Sequence, residues 1–97
     1  MIDKMTSQNL IITNLMSDLV RRNGSDLHLT GDTVPYFRVQ GSILPASESI
    51  YKEENLISDL KTILGEDKLN VFFNEKELDC SYGLAGVARF RLNIFFD

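Results

Sequence analysis

The sequence has one cysteine, two prolines, no tryptophan and no long apolar run. With Cys80 alone, no internal disulfide framework is possible, and this usage fits a reducing compartment. The longest apolar runs, Leu10–Ile12 and Ile94–Phe96, fall far short of the ~20 residues that a membrane span needs. Polar Asp3, Lys4 and Thr6 stand where a secretory leader would place a basic region and an apolar stretch, so no leader and no membrane insertion are expected. Positive charge is scarce too. Ten basic against 14 acidic residues give a net charge of −4, which argues against a nucleic-acid module, whose affinity comes from cations on phosphate. None of the six glycines belongs to a G-x-x-x-x-G-K-[ST] loop or a G-x-G-x-x-G turn, so this stretch has no evident cradle for nucleotide phosphates. A single His and a single Cys supply no zinc-ligand spacing, and no local spacing joins His28 to a nucleophile and a carboxylate.

What remains is the balance of one globular domain, with 43% apolar and 25% charged residues over 97 positions. Residues 7–22 have a helical period, with Ile11, Leu15 and Leu19 in a row, Ser7 as the expected N-cap, Arg21 and Arg22 in the last turn, and Gly24 as the stop. The period then changes to two. Leu27 and Leu29 alternate with Asp26, His28 and Thr30, as in a half-buried strand, and Gly31-Asp32-Thr33 is a loop. Pro35 opens a strand from Tyr36 to Gln40, and Gln40-Gly41-Ser42-Ile43 turns it into a short strand stopped by Pro45. Helices are expected over 52–64, with Gly65 as the stop, and from Asp67 to Phe73; strands are expected over 77–83 and 87–96. The order α-β-β-β-α-α-β-β predicts an α+β domain, an antiparallel sheet with helices on one face.

In the last hairpin, apolar must face apolar. A three-residue loop, Leu84-Ala85-Gly86, meets that condition. It pairs Tyr82 with Ala88, Cys80 with Phe90 and Leu78 with Leu92, and sets Asp79 opposite Arg91 and Ser81 opposite Arg89. Gly86 then takes the left-handed position. Arg89 and Arg91 share the polar face, where two guanidinium groups can clamp a phosphate or a carboxylate; the simpler reading is cross-strand pairing, Arg91 with Asp79. His28 reads as a polar-face residue, hydrogen-bonded or solvated. Cys80 reads as core packing, Asp26 as a pin for the turn after Gly24, and Glu53-Glu54 and Glu66-Asp67 as dipole partners in helix first turns.

Two stretches carry a resemblance. Ser25-Asp26-Leu27-His28-Leu29-Thr30, then Pro35, then Phe37-Arg38-Val39-Gln40-Gly41 resembles the S-D-[LI]-H-[LI], Pro, R-[VI]-[DN]-G pattern of the pilus and type II secretion ATPase family. Val87-Ala88-Arg89-Phe90-Arg91-Leu92-Asn93 resembles the V-A-R-F-R-[VL]-N of its retraction branch. Thr30-Gly31 follows where the secretion and pilus-extension branch continues with Glu-Pro. Gln40 replaces the family's Asp or Asn, and Cys80 stands where Phe or a small residue is common. The resemblance runs in order along nearly the whole chain.

The resemblance implies an N-terminal, PAS-like domain of a hexameric motor subunit. In such subunits it precedes a RecA-like ATPase domain that binds ATP and Mg, and packs on the ATPase domain of a neighbouring subunit. It acts at the cytoplasmic face of the inner membrane, reaching the platform protein of the pilus machine indirectly. Arginines of the last strand approach the nucleotide phosphates in that family; Arg91 is the match, with Arg89 beside it. No cofactor is implied for this stretch alone, and no catalytic or metal-binding residue. Two other readings stay open: a free-standing PAS-like ligand sensor, which would need a sizeable apolar pocket, and the corresponding domain of a secretion or pilus-extension ATPase.

Overall fold

The expected alternation of periods is realised as three helices and five strands in a computed structural model that describes residues 10–84 and 88–95. The first helix, α1 (Ile11–Arg21), is shorter than the expected 7–22, and Ser7 lies outside the described residues. Its buried stripe is Ile12, Leu15, Met16 and Leu19, at the i, i+3, i+4, i+7 spacing of one helix face. Ile11 is off that stripe and exposed. Gly24 is not the left-handed residue that ends the helix. Asn23 is, with φ 56°, while the Gly24 N–H closes the turn on the Leu19 carbonyl at 2.9 Å. Glycine serves a different need there, because a Cβ on Gly24 would overlap the buried Leu19 Cδ1 and come within 3.1 Å of the Arg38 carbonyl.

Strands β1 (Asp26–Thr30), β2 (Tyr36–Val39) and β3 (Ser42–Pro45) form an antiparallel meander. Gln40 and Gly41 both have positive φ, 50° and 83°, between the paired Val39 and Ser42. Such a two-residue turn favours Asn or Asp first, so Gln40 holds a left-handed conformation without their local advantage. Helix α2 (Glu53–Leu64) starts where Asp32 Oδ1 accepts the Glu53 N–H at 3.0 Å. Gly65, φ 87°, separates it from α3 (Glu66–Glu75), which is longer than expected at both ends and buries Leu69 and Phe72. Glu53-Glu54 and Glu66-Asp67 do lie in helix first turns.

Strands β4 (Glu77–Leu84) and β5 (Ala88–Phe95) complete the sheet, whose order is β3-β2-β1-β5-β4. Three of its pairings are antiparallel, as expected. The central one, β1 with β5, is parallel, which makes the sheet mixed. Parallel neighbours need a long crossover, and β2 through β4 supply it. The β4–β5 register is two residues from the expected one: Tyr82 faces Phe90, Cys80 faces Leu92, Leu78 faces Ile94, and Ser81 faces Arg91. A slip of two preserves the faces, so the apolar-to-apolar condition cannot separate the two registers. Cross-strand contact does, since Tyr82 now meets the Phe90 ring (centroids 6.1 Å apart) instead of Ala88. Positions 85–87, including Gly86 of the expected loop, lie outside the described residues.

One face of the sheet, with Leu27, Leu29, Phe37, Phe90, Leu92 and Ile94, joins the buried side chains of all three helices in a single core. The opposite face carries Asp26, His28, Arg89, Arg91, Asn93 and Asp79 by strict alternation along β1, β5 and β4.

Candidate functional site

Arg91 lies at the middle of that opposite face. Its strand neighbours are Asp26 on β1 and Ser81 on β4. The pairing with Asp79 predicted from a direct cross-strand position is therefore made on the diagonal, where Nη2 donates to Asp79 Oδ2 at 2.6 Å. On its other side, Nε lies 3.9 Å from Asp26 Oδ2. The guanidinium thus bridges two carboxylates while its side chain keeps 62% of its surface in solvent. Arg89, two positions earlier on the same face, is opposite Gly83, and its side chain lies across that glycine: a Cβ at Gly83 would come within 2.9 Å of Arg89 Nη1. Among the described residues no acidic side chain pairs with Arg89. The structure brings the two predicted arginines to one face, and among the described residues only Arg91 is held by carboxylates.

Asp26 is the buried member of the group. Ser25 Oγ donates to Oδ1 at 2.6 Å and Asn93 Nδ2 to Oδ2 at 3.1 Å. It holds the junction of β1 and β5, a larger role than the pin expected for the turn after Gly24. Burial alone would raise this carboxyl, but the hydrogen bonds from Ser25 and Asn93, with the Arg91 and His28 side chains, outweigh burial and hold it below its ordinary value of 3.8. A carboxyl depressed in the fold stabilises it above the unfolded value and loses that contribution as pH falls through the folded one. The stability gap between wild type and Asp26→Asn should therefore be larger at about pH 5 than in acid, and shrink as acid is added below about pH 4. Urea midpoints across that range check this; a gap that does not narrow in acid would refute it.

His28 departs from the sequence reading. Its Nε2 is buried and meets no hydrogen-bond partner among the described residues, where a bonded or solvated nitrogen was expected. Cys80 is half-buried against the core, and burial pushes its thiol up, which suppresses the reactive thiolate and fits the packing role.

Sequence reasoning missed a second polar cluster. Tyr51, ahead of α2, donates its hydroxyl to Asp59 Oδ2, and the same oxygen faces the Ile12 N–H at 3.4 Å. All three residues are buried. The available signal was position: Asp59 occupies the core row of α2 with Leu56, Leu60 and Ile63. Nothing comparable marked Asn93, a polar residue in a polar alternation.

No family model matches the chain. Among curated proteins it is similar to the type IV pilus retraction ATPase PilT of Pseudomonas aeruginosa, with 30% identity over 84 residues, and to the type IV pilus ATPase PilU of the same organism, with 24% over 82 residues. The matches take in 87% and 84% of this chain but only 24% and 22% of those proteins, so the chain spans roughly a quarter of the length of these relatives.

Proposed function

We propose that this chain is the N-terminal, PAS-like regulatory and assembly domain of a PilT-type retraction motor, a hexamer in which it links ATP hydrolysis to movement between subunits. The observation that carries the reading is the similarity to PilT and PilU along most of the chain, together with the two arginines of the V-A-R-F-R-L-N stretch on the open side of β5. In the motor, Arg91 and then Arg89 would meet the nucleotide phosphates, since a guanidinium fork matches a phosphate as well as it matches the carboxylate it now holds. ATP and Mg belong to the ATPase domain in this reading. The phosphate loop is absent here, and no three His, Cys, Asp or Glu side chains among the described residues gather as metal ligands. The ATPase domain of a neighbouring subunit is the partner, and the inner-membrane platform protein is reached through it. The proposal places the domain at the cytoplasmic side of that membrane, and no described helix is long and apolar enough to cross one.

The test has two arms. Codons following Asp97 should encode a phosphate loop within a few dozen residues, whereas a stop codon would favour the free-standing sensor. The purified 97-residue chain should release no phosphate from ATP, and turnover proportional to its concentration would overturn the assignment of catalysis to a separate domain.

A further inference from the structure

The two carboxylates that flank Arg91 are not equivalent. Asp26 is buried, and each of its oxygens already accepts a hydrogen bond, from Ser25 and from Asn93. It cannot leave without exposing two donors. Asp79 has 54% of its side-chain surface in solvent, and Arg91 is its hydrogen-bond partner, at Nη2. The Nε side of the guanidinium therefore faces a fixed charge, while the outer edge, the one that an incoming group can reach, is covered by a replaceable one. An exposed ion pair is weak and yields to a competitor of higher charge.

We propose that Asp79 is an intramolecular stand-in for an oxyanion: it occupies the receiving edge of Arg91 until a phosphate group displaces it, and Asp26 keeps the guanidinium in place during the exchange. Arg89, across Gly83 on the same face, adds a second cation to the opened site. The inference rests on the reading of Arg91 as a phosphate-contacting residue and supplies its regulation.

The experiment titrates the 97-residue chain with inorganic tripolyphosphate, and separately with acetate, at ionic strength fixed by chloride. Binding is followed by the amide shifts of β4 and β5, and the dispersion of the same spectrum verifies folding. Asp79→Asn should tighten tripolyphosphate binding by about two- to fivefold, the range set by loss of an exposed pair. Glu77→Gln removes the same charge from the same face of β4 and should change nothing. Arg91→Lys, which loses the fork, should weaken binding in both backgrounds. If Asp79→Asn binds like wild type, or if Glu77→Gln gains as much, the stand-in role fails while Arg91-dependent binding leaves the phosphate reading intact. If no variant binds through Arg91, the stand-in role falls, and the phosphate reading is left to ATP turnover in the assembled motor. If acetate binds as tightly as tripolyphosphate, the displacing group is a carboxylate and the proposal as stated is overturned.

Discussion

Asp59→Ala should destabilise the domain by about 2–4 kcal/mol, the largest effect expected of any single polar side chain here. From within α2, the Asp59 carboxylate joins the start of α1, 47 positions away, through the Ile12 N–H, and the approach to its own helix, eight positions away, through the Tyr51 hydroxyl. Leu10 precedes α1 without a side-chain cap, so the first turn of that helix takes its acceptor from Asp59 instead. Burial, and then the Asp59 bond and charge, push the Tyr51 hydroxyl up and keep it a donor. Truncation to alanine leaves this hydroxyl buried without its acceptor and takes one acceptor from the Ile12 N–H, so their desolvation is no longer fully compensated. Asp59→Asn keeps an acceptor oxygen and should lose less. Tyr51→Phe removes one donor only, and should cost about 1–2 kcal/mol. For a domain of this size the alanine change consumes a large share of a total of roughly 5–15 kcal/mol. Urea midpoints at unchanged slope measure it; an Asp59→Ala chain that unfolds at the wild-type midpoint would show that the cluster holds nothing.

Arg91→Ala is the converse case, with little effect on folding and a large one on the proposed activity. In the 97-residue chain the change removes an exposed pair with Asp79, worth roughly 0–1 kcal/mol. Asp26 keeps its bonds from Ser25 and Asn93, so no buried carboxylate is orphaned. In the proposed motor, the same change should lower ATP turnover by about tenfold or more, the scale seen when a preorganised donor to a developing charge is lost. Phe90 is buried and Arg91 is exposed, so the Arg91 side chain points where a ligand can reach it. Normal turnover by the proposed motor carrying Arg91→Ala would reduce Arg91 to a sheet residue and make Arg89, which has no acidic partner among the described residues, the better candidate.

Much of this was legible in order along the chain. Helix and strand periods differ, and a change of period marks an element wherever one face is buried, as at Leu27–Leu29 or at Phe90, Leu92 and Ile94. Alternation also placed Arg89 and Arg91 together on the polar face before any coordinates, because a strand's side chains switch sides at every residue. The same alternation is blind to a slip of two, which is why the faces of the last hairpin came out as expected and its register did not.

The sequence by itself determined the element order, the α+β class and the faces of β1, β4 and β5, since all of these follow from local sterics and from which side chains leave water. Only the tertiary structure decided that β1 lies parallel to β5, that Asp26 meets Asn93 across that seam, and that Asp59 caps a helix 47 positions away. Those contacts join residues that no local period relates. A buried polar group is set by whichever donor the finished fold brings within about 3 Å, and that donor is unknown until every element has packed.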